Sequence, residues 1–229
     1  MKLGLSTGVI TDIGDDEIGA ETLKAFKKKG IDAKFATVHK MMRTNHNFIL
    51  RYQADRSILI HHNEYNYKFP KIARGAGPKW IYLSSLASNS LPYHAEIVEF
   101  LRAHPETKLA FQPGTFQIKL GAEKIADIYK ATEIFFCNKE EAQRILNTDA
   151  DDFKILIDKM KGLGPKKVVI TDGIKGAYAY DGENYWFMPV YPHEPYERTG
   201  AGDAFCSTVT ACMIMNMPME EALLWAPIN

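Results

Sequence analysis

Residues Glu133–Leu146 read EIFFCNKEEAQRIL and, beyond a second helical stretch at Phe153–Leu163, Lys166–Thr171 read KKVVIT. Ile134 to Cys137 and Val168 to Ile170 are unbroken apolar runs, which is how strands covered on both faces read. Asn138 closes the first run and stands where it caps a helix over Lys139–Leu146, with Glu140 and Glu141 in the first turn. Gly162 and Gly164 close the helix Phe153–Leu163. A strand, a helical connection and a second apolar strand predict a right-handed crossover between parallel neighbours.

The same rhythm extends outward. Lys79–Leu83 (KWIYL) and Lys108–Gln112 (KLAFQ) read as further strands. Ser90 opens a helix with Pro92 near its first turn and Ile97, Val98 and Leu101 on one face, and Leu120–Ala131 reads as another helix. The expected fold is α/β: three layers, with a mostly parallel central sheet between helices. Two stretches depart from it. Asn45–Tyr52 and Ser57–His62 read as a hairpin, so residues 37–69 are expected to form a β lid over an edge or the mouth of a site. Ala177–Tyr180 and Tyr185–Met188 form a second hairpin through Asp181-Gly182-Glu183-Asn184. Residues 1–229 are expected to make a single domain. Its small-residue opening and its end at Asn229 without a closing element predict a piece of a longer one.

Composition narrows the function. The 229 residues are 46% hydrophobic and 24% charged, with 28 basic and 28 acidic side chains, a net charge of zero. Neutrality gives no electrostatic reason to expect nucleic acid or an anionic membrane as partner. Cys137, Cys206 and Cys212 have neither disulfide-framework nor zinc spacing and read as reduced thiols. No apolar run reaches the ~18–20 residues of a membrane span. The expectation is a soluble, cytoplasmic protein.

Chemistry concentrates in three segments. Thr199-Gly200-Ala201-Gly202-Asp203 precedes a helical run, Ala204–Met215. Small residues entering a helix leave its first N–H groups bare, and those groups with the helix dipole attract an anion. Asp203 in that turn is placed to take a proton from an attacking hydroxyl. The same residues also read as an ordinary loop–helix junction with a favourable N-terminal charge. Asn138 and Glu141 read either as simple capping or as an amide and a carboxylate at the sheet edge where ligands of open α/β sheets bind. Thr171-Asp172-Gly173, with Gly176 behind, makes a turn whose glycines also let backbone approach a phosphate.

In this order and at these strand ends, the three segments resemble the PfkB or ribokinase-like family of carbohydrate and nucleoside kinases. Gly200-Ala201-Gly202-Asp203-Ala204-Phe205 is similar to its C-terminal signature, Asn138 and Glu141 to its Asn-x-x-Glu motif, and Thr171-Asp172-Gly173 to its phosphate-contacting segment. Gly14-Asp15-Asp16-Glu17-Ile18-Gly19 and Gln112-Pro113-Gly114 resemble its Gly-Asp-Asp-x-x-Gly and Asn-Pro-Gly runs.

The resemblance implies an ATP- and Mg²⁺-dependent kinase acting on a sugar or nucleoside hydroxyl. Asp203 would be the base and the amides of Gly200, Ala201 and Gly202 the anion hole. Asn138 and Glu141 would arrange Mg²⁺ through water, and Thr171, Gly173, Gly176 and Asn229 would contact the nucleotide. Glu197, six positions before Asp203, takes the place of an Asp that helps hold K⁺ in relatives, with Arg198 where a Thr is usual. From the lid, Arg43, Asn45 and Asn47 are candidate substrate contacts, and the lid is a candidate homodimer surface. The second reading is a truncated nucleotide-binding, non-catalytic interaction module. His61 and His62 alternate across a strand and cannot share a metal.

Overall fold

The computed structural model describes residues 3–52, 55–73, 75, 77–192 and 199–228. The chain divides into two compact units, Met1–Lys71 and Ile72–Asn229.

The second unit carries the central sheet. Its strands, β5 (Trp80–Leu83), β6 (Lys108–Phe111), β7 (Thr132–Asn138), β8 (Lys167–Thr171), β9 (Ala177–Tyr180) and β10 (Tyr185–Met188), lie side by side in chain order. β5 to β8 are mutually parallel; β9 and β10 are antiparallel additions, as the Asp-Gly turn requires. Helices α2 (Leu91–Ala103), α4 (Ala126–Ala131), α5 (Lys139–Leu146) and α6 (Phe153–Gly162) fill the crossovers. Right-handed crossovers that step in one direction place these helices on one face. There Phe111 meets Tyr129 edge-on, and Phe153 stacks on Tyr178 at 3.7 Å. The opposite face, Ala110, Ile134, Phe136, Val169 and Ala179, packs under α7 (Ala201–Ile214) and α8 (Met219–Trp225) through Cys206, Val209, Cys212, Met219 and Leu223. The expected three-layer α/β/α arrangement is therefore present, and both faces of the apolar strands are covered.

One expected element differs. The helix read over Leu120–Ala131 is helical only in its second half, α4; residues 121–125 are a turn, and a separate short helix, α3 (Thr115–Leu120), precedes them. Gly121 ends α3 with φ +87°, where a helix cannot continue. α7 begins three residues earlier than the apolar pattern indicates, so Asp203 lies inside its first turn.

The first unit holds two small sheets. β1 (Gly8–Gly14) and β2 (Asp32–His39) are parallel, joined by α1 (Glu17–Lys28). β3 (His46–Tyr52) and β4 (Asp55–His61) pair antiparallel from His46 opposite His61 to Tyr52 opposite Asp55. Asp16 organises this unit. Its carboxylate caps α1 at the Gly19 N–H and accepts from both the N–H and the hydroxyl of Thr44, whose oxygen in turn accepts from the Gly14 N–H at 3.0 Å. Hydrogen bonds from Thr44 and Gly19 hold the Asp16 carboxyl down at about 2.

Candidate active site

Parallel strands in chain order bring the carboxyl ends of β6, β7 and β8 to one edge of the sheet, with Asn138 and Thr171 the last residues of β7 and β8 and Gln112 just beyond β6. α7 starts at the same edge, because Gln112 Nε2 donates to Asp203 Oδ1 at 2.9 Å across 91 residues of sequence. This is where ligands of open parallel sheets bind.

Gly200 turns the chain into α7 with φ +82° and ψ 0°, a left-handed conformation that a side chain disfavours. No side chain caps the helix, so its leading N–H groups have none of the help Asn138 gives α5. A Cβ placed on Gly200 or Gly202 would meet nothing within 4 Å. An uncapped helix start beneath open space, with a carboxylate in the first turn, is suited to an anion and an acceptor hydroxyl.

Asn138 and Glu141 are drawn together in a reciprocal cap. The Glu141 N–H donates to Asn138 Oδ1 at 2.8 Å and the Asn138 N–H to Glu141 Oε2 at 2.9 Å. Burial raises the Glu141 carboxyl above its ordinary value, the Asn138 N–H opposes that, and the charge of Asp203 adds to the rise. The Glu141 carboxylate and the Asn138 amide are oxygen donors of the kind Mg²⁺ takes, with the Asp203 carboxylate near enough to act on Glu141, so the residues fit a Mg²⁺ ion. Among the described residues no cluster of three or more His, Cys, Asp or Glu side chains could hold a metal.

Asn138 lies opposite Thr171 in the β7–β8 register. Gly173 opens a short 3₁₀ turn, and a Cβ there would meet nothing within 4 Å. Gly176 differs: an added Cβ would collide with the Met188 carbonyl, so its glycine serves the approach of β10. Lys139 is a neighbour the sequence did not single out. Its ammonium pairs with Asp151, lies 4.0 Å from Asp172 and sits 5.1 Å from the Phe153 ring centre, tying the start of α5 to the 171–176 segment.

Of the remaining predicted site residues, Asn45 is committed internally, its Oδ1 accepting from the Asn63 N–H at 2.6 Å. The Arg43 carbonyl accepts from the Tyr65 hydroxyl at 2.6 Å, and Asn47 is an exposed residue of β3. All three belong to the first unit. Glu197 and Asn229 lie outside the described residues. In the first unit the sequence reading passed over Asp12 and His39, paired at 2.6 Å, with Tyr65 stacked on the imidazole at 4.7 Å.

A mostly parallel sheet between two helix layers, with an uncapped helix start and a carboxylate at its carboxyl edge, is a ribokinase-like arrangement. The chain belongs to the pfkB family of carbohydrate kinases, whose sequence model matches residues 1–226. It is 39% identical over 101 residues to a cytidine kinase of Thermococcus kodakarensis, a match that covers 43% of this chain and 36% of that one. It is 23% identical to rice (Oryza sativa) fructokinase-2 over 97% of this chain and 68% of that enzyme. Among solved structures, an E. coli ribokinase II-like protein in complex with ATP and Mg²⁺ superposes with a TM-score of 0.78 at 19% identity, covering 99% of this chain and 76% of that one. The chain thus spans about a third of the cytidine kinase and about two thirds of the fructokinase.

Proposed function

We propose that this protein is an ATP-dependent kinase that moves the γ-phosphoryl group of ATP onto a hydroxyl of a sugar or nucleoside. The observation that carries the reading is Asp203, fixed by Gln112 in the first turn of an uncapped helix with open space over Gly200 and Gly202. The Asp203 carboxylate takes the acceptor O–H proton as that oxygen bonds to the γ-phosphorus. The bond from phosphorus to the β,γ-bridging oxygen breaks, and ADP leaves with that electron pair. The N–H groups of Gly200, Ala201 and Gly202 face the phosphoryl oxygens, where charge must be neutralised. Asn138 and Glu141 would hold Mg²⁺, which when bound would supply charge neutralisation at the phosphates. Thr171 and Gly173 contact the nucleotide. Gly176 holds the turn that presents them. Glu197 is the carboxylate assigned to a K⁺ ion, which a rate comparison between K⁺ and tetramethylammonium salts tests.

The acceptor lies in the nucleoside or sugar class of the relatives, with cytidine first in a panel that includes uridine, ribose and fructose. Residues 1–229 are read as one ribokinase-like domain with 37–69 a lid-like segment, whose apolar β3–β4 hairpin packs against a second copy. ADP release from Mg·ATP is expected to rise with one acceptor of the panel. Asp203→Asn is expected to lower that rate by roughly 10³-fold or more, with Mg·ATP affinity retained. Mg·ATP binding without acceptor-stimulated ADP release would favour the non-catalytic module instead.

A further inference from the structure

Asp203 does not stand alone. Gln112 Nε2 donates to its Oδ1, and the Gln112 Oε1 accepts from the Tyr82 hydroxyl. We infer that Gln112 is a positioning residue: it holds the Asp203 carboxylate with one oxygen engaged and the other turned to the acceptor hydroxyl, and Tyr82 sets the orientation of its amide. The inference rests on the reading of Asp203 as the base.

The direction of the chain follows from its donors. A phenol has one proton, and a carbonyl oxygen can only accept. Burial keeps the Tyr82 phenol protonated well above its ordinary range, with the neighbouring Cys206 and Asp203 adding to the effect. Tyr82 therefore donates to Oε1, which leaves Nε2 to face Asp203. The flipped amide would set its carbonyl oxygen against the carboxylate, so it is excluded by charge while Asp203 is ionised.

Each link is also held in place. Tyr82 stands on β5 and stacks on Phe136 of β7, ring centres 6.3 Å apart. The Gln112 N–H donates to the Leu83 carbonyl at 2.9 Å, so its backbone extends the β5–β6 ladder. Two residues on, a Cβ on Gly114 would collide with Ser85, so the loop lies flat against the end of β5. The fully buried Gln117 closes it: Oε1 accepts from the Gly114 N–H at 2.8 Å, and Nε2 donates to His94. A glutamine that only filled space would need neither this backing nor a donor on its far side.

The test uses the full chain, Mg·ATP, and whichever of cytidine, uridine, ribose or fructose gives the highest turnover. Gln112→Leu is expected to lower kcat roughly 10- to 100-fold, with KM for acceptor and ATP within about twofold. Tyr82→Phe, which keeps the ring stacked on Phe136, is expected to lower kcat roughly 3- to 10-fold by freeing the amide to rotate. The double variant is expected to match Gln112→Leu alone, because both act through one chain. An unchanged kcat in Gln112→Leu, a loss confined to KM, or multiplicative effects in the double variant would overturn the inference and leave the kinase reading standing. Should Gln112→Leu fail to fold, an undiminished kcat in Tyr82→Phe overturns it. A wild-type chain that binds Mg·ATP and phosphorylates none of the four acceptors would remove the kinase reading, and this inference with it.

Discussion

β7 and the β3–β4 hairpin are both runs of large apolar residues, and the fold treats them in opposite ways. Ile134, Phe135 and Phe136 are wholly buried, one face under α7 and α8 and the other under α4 and α5. Phe48, Leu50 and Leu59 remain 60%, 57% and 55% exposed. The hairpin is a two-stranded sheet, a form that is marginal in water without a covering surface. β7 gains its stability from layers on each side. Apolar content alone therefore does not say what a strand rests on: β7 lies among crossover helices that must return to its sheet, whereas the hairpin has no helix in its own sequence to cover it. The comparison separates a stretch that builds the site from one we assign to a second copy.

The largest expected effect breaks the buried side. Phe135→Ala removes a ring packed edge-on against Phe111 at 5.7 Å and is expected to cost roughly 3–5 kcal/mol in denaturant unfolding. Leu59→Ala in the hairpin, measured at concentrations where the chain is monomeric, is expected to stay within about 0.5 kcal/mol. Similar costs for the two would erase the distinction.

A pH effect comes next. Burial pushes the His94 imidazole down to about 4. Its Nε2 accepts from Gln117 at 3.1 Å, and its buried Nδ1 has no partner, so a second proton has nowhere favourable to go. Below its ordinary value of 6.5 the unfolded chain takes up a proton that the folded chain refuses until about 4. Stability is thus complete above that ordinary value and is lost as pH falls towards the folded one. About 2 kcal/mol is expected to go between pH 7 and pH 5. Thermal melts at the two values are expected to converge in His94→Leu, and an unchanged gap would assign the acid sensitivity elsewhere.

Asp16→Ala sharpens the contrast between units. It removes the α1 cap and both Thr44 bonds, so faster amide exchange is expected in residues 8–44 and not in 132–171. The hairpin gives the smallest change in stability. Leu50→Lys with Leu59→Lys is expected to turn a dimer into a monomer by light scattering while leaving the melting midpoint of the second unit in place.

What the sequence disclosed follows the range of each interaction. β7, α5, α6 and the β9–β10 hairpin were legible because apolar runs, the Asn138 cap and the Asp-Gly turn are local signals. The reciprocal bonds of Asn138 and Glu141 span three residues and could be read as a cap directly. The turn at 121–125 was missed because Ala122, Glu123 and Lys124 are helix-favouring residues, and only the positive φ of Gly121 marks the stop. Gln112 and Asp203 stand 91 residues apart, and Asp16 and Thr44 stand 28 apart. No local pattern couples such pairs; the sheet order does. Tyr82 reads as one more apolar strand residue until the fold sets its hydroxyl against an amide.

We propose Asp203 as the base of phosphoryl transfer to an acceptor hydroxyl. Its most direct test follows the γ-phosphate itself: [γ-³²P]ATP and Mg²⁺ with cytidine, uridine, ribose or fructose, products resolved from inorganic phosphate, for wild type and Asp203→Asn. Label is expected on one acceptor with wild type, and none above background with Asp203→Asn at equal Mg·ATP occupancy. Equal labelling by the two proteins would contradict it, as would label appearing only as inorganic phosphate.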